Sequence, residues 1–194
     1  MSFSVIAALG NPGPEYISTR HNAGWILLDA LAQKVGAVWK EEKRFSVQVA
    51  KVTFGNANVF LVKPQSFMNE SGSPLTKFLH FHQIPASDIV VCYDDIAFEP
   101  GLMRLTQGGS DAGHNGITSC MQHLSNDFIR ARIGIGPKKH PAQDLADHVL
   151  GKIPDDDLAR LRQSLPDFIH GLEILISQGL PAAQNFTNRK NHSL

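Results

Sequence analysis

Apolar and polar positions along the chain switch between two periods, and the switches mark the elements. Residues 3–9, Phe-Ser-Val-Ile-Ala-Ala-Leu, form a short apolar run that ends at Gly10, as a buried strand would. Gly-Asn-Pro-Gly-Pro follows, where proline fixes φ and glycine permits positive φ, so the chain turns. From about His21 the spacing becomes helical: Trp25, Leu28, Leu31, Ala32 and Val35 fall three and four apart, with Gly36 at the end. Phe45, Val47 and Val49 alternate, and Val52 and Phe54 continue in the opposite phase, which predicts a strand with a bulge near Ala50. Residues 58–63 make its partner across a turn at Gly55-Asn56.

Ser73-Pro74 reads as a helix cap followed by proline at the first helical position, leading a helix that carries Phe78, Leu79 and Phe81. Ile89–Tyr93 is another buried strand and runs into Asp94-Asp95. A strand at 102–107 leads to the glycine loop Gly108–Gly113, a helix from about His114 to Leu124, and an alternating strand at Arg130–Gly136. Asp155, Asp156 and Asp157 stand where a helix dipole favours carboxylates, ahead of an apolar stripe from Leu158 to Ile176. Pro166 inside that stripe predicts a kink or two helices, and the chain from Gly179 onward is polar enough to be loosely held. Strands interleave with helices without repeats or linkers. The expected fold is α/β: one domain over residues 1–194, a twisted mixed β-sheet with antiparallel pairs in the middle, helices packed on both faces, and a polar tail from about 187.

Composition narrows the classes. With 194 residues the chain can bury a substantial core without staples. Lys+Arg and Asp+Glu both number 18, so net charge gives no sign of a nucleic-acid partner, and any such surface must be local. No apolar run approaches a membrane span, and the first residues lack the basic and small-residue features of a signal peptide. Cys92 and Cys120 lie far apart and outside any C-x-x-C pattern, which suits a reducing cytoplasm and gives no zinc or disulfide framework. No helix presents an unmatched apolar face, so a monomer is expected.

Ligands of α/β sheets bind beyond the carboxyl ends of strands. Asn11 with His21, Asp94 with Asp95, Asn69, and Asn115 after the glycine loop all fall at predicted strand or loop ends. Imidazole titrates near neutral pH, so His21 is a candidate general base, and a carboxylate such as Asp94 on its second ring nitrogen would fix the tautomer. Taken alone, His21 reads better as a polar residue at a helix start. Asp94 reads equally as a strand-end turn residue, Asn11 as a turn former, and Asn69 and Asn115 as caps. The glycine loop fits neither nucleotide-binding pattern. His80-Phe81-His82 lacks a third metal ligand, and no G-x-S-x-G elbow is present. Arg130, Arg132, Lys138, Lys139 and His140 cluster around one strand and its loop, with Arg104 on a neighbouring strand. They suit either a solvated rim or phosphate contacts to a polynucleotide.

Taken together the motifs carry more. Gly10-Asn11-Pro12-Gly13-x-x-Tyr16-x-x-Thr19-Arg20-His21-Asn22-x-Gly24 closely resembles the first signature of bacterial-type peptidyl-tRNA hydrolases, and Lys63-Pro64-x-x-Phe67-Met68-Asn69-x-Ser71-Gly72 looks like the second. Asp94-Asp95, Gly108-Gly109-x-x-x-Gly113-His114-Asn115-Gly116 and Arg132-Ile133-Gly134-Ile135-Gly136 follow in family order, so the resemblance spans residue 3 to about 186. It implies cleavage of the ester between a peptide and the 3′-terminal ribose of tRNA, without metal or cofactor. It makes His21 the base that activates water and Asp94 the holder of its tautomer. Asn11 would contact the peptide, Tyr16, Phe67, Met68, Asn69 and Asn115 would line the substrate groove, and Arg104 and Arg132 would meet tRNA phosphate.

The chain departs from the family pattern at Asp95, where glutamate is frequent, and at Asp111, which adds negative charge to the glycine loop. Thr106 stands where a lysine is common; Arg104, two residues away on the same strand face, is its substitute. Two other functions compete: an RNA-binding relative without catalysis, and a generic esterase indifferent to tRNA and salt.

Overall fold

The computed structural model describes residues 4–188. Seven strands, β1 (Val5–Ala8), β2 (Lys40–Glu42), β3 (Val47–Phe54), β4 (Ala57–Pro64), β5 (Ile89–Asp95), β6 (Met103–Gln107) and β7 (Ile129–Gly134), form one sheet in the order β2-β3-β4-β1-β5-β7-β6. The helices are α1 (Ala23–Lys34), α2 (Gly72–His82), α3 (Asn115–Leu124), α4 (Leu145–Leu150), α5 (Asp155–Gln178) and α6 (Leu180–Thr187). Parallel pairs β4–β1, β1–β5 and β5–β7 hold the centre. The antiparallel pairs β2–β3, β3–β4 and β6–β7 sit on the flanks rather than in the middle. The reason is coverage: strands joined through crossover helices are buried on both faces and so take the interior positions.

β1 shows the consequence. Its four residues are fully buried; Ile6 and Ala8 join one core with α1 and α5, while Val5 and Ala7 join a second with α2 and α3. Helices therefore pack on both faces of the sheet, as expected. α2 and α3 approach so closely that the Gly72 N–H donates to Ser119 Oγ at 3.0 Å, and a Cβ on Gly72 would overlap the Ser119 carbonyl.

Several local expectations are corrected. β3 pairs with β4 residue for residue from Val47↔Pro64 to Phe54↔Ala57, so Ala50 marks no bulge. Val47 and Val49 enter the α2/α3 core, whereas Ala50, Val52 and Phe54 enter the α1/α5 core; the phase changes because the covered face changes along a regular strand. Phe45 belongs to a single 3-10 turn before it. α2 begins at Gly72 with Ser71 before it, so Pro74 lies in the first turn, where its missing N–H has no helical acceptor to lose.

α5 is one unbroken helix through Pro166. An interior proline costs about 3 kcal/mol. Here Pro166 lies on the solvent side while Leu161, Leu165, Phe168, Ile169, Leu172 and Leu175 are buried along the other, and that burial outweighs the lost bond. The segment after Gly179 is helical rather than loose. Its polar side chains serve the open edge of β6: Asn188 Oδ1 accepts from the Leu105 N–H at 3.1 Å, and Gln184 Nε2 donates to the Leu105 carbonyl at 3.0 Å. The polar tail expected from about 187 lies, from residue 189 on, outside the described residues.

Candidate active site

The chain leaves β1 at Leu9, β4 at Pro64 and β5 at Asp95 on the same end of the sheet, and the loops that follow enclose a cleft of about 590 Å³. Asn11, Tyr16, His21, Phe67, Met68, Asn69, Asp94 and Asn115 all line it. Residues spread over a hundred positions of sequence thus converge because β1 is flanked by β4 and β5.

His21 sits in a 3-10 turn, Arg20–Asn22, immediately before α1. Gly24 lets that helix start lie directly on the strand ends, since a Cβ there would fall 2.6 Å from the Cys92 carbonyl oxygen. His21 is consequently buried over the end of β5, and its Nδ1 hydrogen-bonds Asp94 Oδ1 at 2.8 Å. Asp94 can only accept, so Nδ1 carries the proton and Nε2 keeps a lone pair for the cleft. Burial pushes the Asp94 carboxyl up. The charges and hydrogen bonds of His21 and His114 outweigh burial and hold it well below the usual carboxylate range.

His114 is the residue the sequence motif contained but did not explain. Its Nε2 hydrogen-bonds the same Asp94 Oδ1 at 2.9 Å, and its Nδ1 caps α3 by accepting from the Ile117 N–H at 3.2 Å. That cap commits Nε2 to donation. His21, Asp94 and His114 form the one cluster of potential cation ligands among the described residues. One ring nitrogen of each histidine donates to the carboxylate, which fits a hydrogen-bonded trio rather than a set of metal ligands.

Asn11 is held by three bonds. Its N–H donates to Asn22 Oδ1 at 2.9 Å, its carbonyl accepts from Asn22 Nδ2 at 3.0 Å, and its Oδ1 accepts from the Met68 N–H at 2.7 Å. With Oδ1 engaged, the Nδ2 amide is left as the group that faces the cleft. Asn22, also in the first motif, serves this loop: its amide matches both backbone groups of Asn11. Tyr16 and Phe67 meet edge to face at 6.4 Å between ring centroids, and Phe67 is 55% exposed at the rim. Asn69 and Asn115 are exposed in the lining, Asn115 at the start of α3.

The opposite wall is α4, which hydrophobic periodicity could have revealed through Leu145 and Val149 and the Asp144 cap but which was missed as only six residues long. Arg20, next to the candidate base, anchors its end: Nη1 donates to the His148 carbonyl at 3.1 Å and the Arg20 N–H to the Gly151 carbonyl at 3.1 Å. His148 is buried and donates from Nε2 to the Gly136 carbonyl at 3.0 Å. Burial lowers its pKa, Arg20 adds to this, and the Gly136 bond only partly opposes them. Because the unfolded chain binds this proton more readily, the contribution of His148 to stability is complete above its ordinary 6.5 and is lost as pH falls below that value. Urea unfolding at pH 7.5 and 5.5 checks this: replacing His148 by Gln, which keeps a donor but does not titrate, should shrink the loss of stability on acidification. An equal loss in both proteins would refute it.

The basic residues separate into distinct roles. Arg130 is buried and spends its guanidinium on the Gly109 and Ser110 carbonyls and Asn126 Oδ1, bracing the glycine loop rather than facing a ligand. Lys138 Nζ is tied to the Pro141 and Gln143 carbonyls. Arg104 and Arg132 are cross-strand partners lying outside the cleft, both stacked on Phe98 at 4.7 and 4.8 Å, and Arg132 Nε also pairs with Asp95 Oδ2 at 2.7 Å. Asp111 accepts from the Gly113 N–H and Thr118 Oγ1, so its charge closes the loop onto α3. Both cysteines are buried, and burial pushes their thiols up to about 12, which removes them as nucleophiles.

Against known proteins, the family model described as peptidyl-tRNA hydrolase matches residues 5–193. The chain is 42% identical to a peptidyl-tRNA hydrolase of Pelobacter propionicus, covering 98% of each chain. It is 41% identical to that of Symbiobacterium thermophilum, covering 95% of this chain and 98% of the relative. The crystal structure of peptidyl-tRNA hydrolase from Acinetobacter baumannii superposes with a TM-score of 0.90 at 34% identity, over 96% of this chain and 94% of that one. The chain belongs to the peptidyl-tRNA hydrolase family, and it is a hydrolase acting on ester bonds. Among the described residues, no helix is long and apolar enough to cross a membrane.

Proposed function

We propose that the chain hydrolyses the ester between a peptide, or an N-blocked aminoacyl group, and the 3′-terminal ribose of tRNA, with His21 activating the water. The observation that carries this is the His21–Asp94 bond at 2.8 Å, which leaves His21 Nε2 basic and turned to a cleft in a chain of this family. Nε2 takes a proton from water as the oxygen attacks the ester carbonyl. Asp94 stabilises the imidazolium so formed, and Asn11 Nδ2, held by the Met68 bond to its Oδ1, donates to the substrate's carbonyl oxygen. The C–O bond to the ribose then breaks, and the imidazolium returns the proton to the leaving 3′ oxygen.

Tyr16, Phe67 and Met68 offer apolar contacts to the peptide or the terminal base, and Asn69 and Asn115 offer amides that both donate and accept along a peptide backbone. Arg104 and Arg132 are assigned to tRNA phosphate. The reaction needs no cofactor, and the enzyme acts in translation as a cytoplasmic monomer.

N-blocked aminoacyl-tRNA tests the proposal. We expect ester cleavage that weakens with added salt, because phosphate contacts release counterions, and little turnover of small esters. Binding without cleavage, or salt-indifferent cleavage of small esters at the same rate, would overturn it.

A further inference from the structure

We infer that His114 is a positioning residue for hydrolysis: its Nε2–H shares Asp94 Oδ1 with His21 and thereby sets how tightly the carboxylate holds the base. The inference rests on the proposed role of His21 as that base.

The geometry leaves the His114 ring little freedom. Ile117 N–H fixes Nδ1 as an acceptor, Asp94 Oδ1 takes Nε2–H at 2.9 Å, and Tyr93 packs edge-on at 5.0 Å between ring centroids. The ring also stands 4.8 Å from that of His21, tilted by 52°. Gly116 preserves the space, since a Cβ there would lie 3.1 Å from His114 Cε1 and closer still to Met68 Sδ and Leu9. Two donors therefore converge on one oxygen, 2.8 and 2.9 Å away, inside a carboxylate that is almost fully buried.

A second donor on Oδ1 draws off part of the charge that would otherwise strengthen the His21 Nδ1–H bond. His114 thus keeps Asp94 ionised and oriented while limiting how far it stabilises the protonated form of His21. Without that donor His21 would hold its proton up to a higher pH and spend less of its time as a base. Other titratable or charged groups around the trio are Tyr93 and Asp95 on β5, Asp111 in the glycine loop, Asp144 and His148 beside and on α4, and Arg20 next to His21. None of them hydrogen-bonds either imidazole among the described residues, so the shared oxygen is the direct link between the two rings.

Two substitutions separate this role from helix capping. His114→Asn keeps a side-chain acceptor for the α3 N-terminus but is too short to reach Asp94, whereas His114→Gln places an amide N–H near the position of Nε2. For His114→Asn, the acid limb of kcat/KM on N-blocked aminoacyl-tRNA should move up by roughly half to one pH unit, the amount one hydrogen bond is worth. Its plateau kcat should fall roughly tenfold, with KM nearly unchanged. His114→Gln should return most of both effects. An unmoved limb in His114→Asn, a change in KM alone, or a His114→Gln variant that shifts as far as His114→Asn would overturn the inference. Ring nitrogen NMR of the unmodified enzyme tests it independently of any variant: His114 must carry its proton on Nε2 and His21 on Nδ1, and the opposite tautomer at either ring refutes it. His21→Ala measured beside these variants keeps the two levels apart. If it is inactive while the His114→Asn limb stays put, only the role of His114 falls; if it is fully active, the base assignment falls and this inference with it.

Discussion

Replacing His21 by Ala should lower kcat on N-blocked aminoacyl-tRNA by about 10²–10⁴-fold, the range for a positioned general base, with KM close to that of the unmodified enzyme. The imidazole is buried against Asp94, and only its Nε2 edge is available to a substrate, so little binding energy is lost with it. Folding should survive, because Asp94 Oδ1 still receives the His114 N–H and is not left without a partner. Residual activity is expected from Asn11 and the other groups proposed to hold the ester. Single-turnover measurements at saturating substrate check the effect on the chemical step, and turnover equal to that of the unmodified enzyme would eliminate His21 as the base.

Asp94→Asn should be nearly as damaging, on the order of 10²–10⁴-fold in kcat. A neutral amide no longer balances an imidazolium. It also presents N–H donors to a site where two imidazoles already donate. If the amide turns an N–H toward His21, that ring takes the Nε2–H tautomer, and its lone pair then faces the substituted side chain instead of water. Against the burial that pushes its pKa up, Asp94 is held ionised by its two histidine partners, so in the unmodified enzyme this charge is present at neutral pH. The two residues act as a unit, and their effects should not multiply: the double variant should be scarcely slower than His21→Ala alone. Multiplicative losses would mean that Asp94 serves the reaction by some route other than His21.

How far these groups could be read from the chain depended on how local their constraints were. Asn11, His21, Asn69, Asp94 and Asn115 sit in motifs whose order was visible, and the structure brings all five to one cleft. Read singly, each also suited a turn or a cap, yet the cap of α3 is His114, and Asn115 follows it as the first helical residue at the rim of the site. Arg130 illustrates the opposite outcome. Its place in a basic cluster suited either a solvated rim or phosphate contacts, yet its guanidinium is spent on the Gly109 and Ser110 carbonyls and Asn126 Oδ1, which only the folded β7 and glycine loop bring together. His114 went unassigned because only its cap contact, to the Ile117 N–H three residues on, is local; its bond to Asp94 spans 20 residues.

The sequence by itself determined the short-range features. These are the buried runs of β1 and β5, the Gly55-Asn56 hairpin, the amphipathic start of α1 and the acidic first turn of α5, all set by periods of two or 3.6 residues and by the φ preferences of glycine and proline. Tertiary structure decided whether Pro166 breaks a helix, which face of β3 is covered, and where the polar segment after Gly179 goes, because each turns on burial against elements distant in sequence. It also decided the hydrogen bonding of the candidate base. The tautomer of His21 depends on a carboxylate 73 residues away, and the orientation of Asn11 on a backbone N–H 57 residues away. Hydrogen bonds of that kind tolerate only a few tenths of an ångström, and only the adjacency of β4, β1 and β5 supplies that placement.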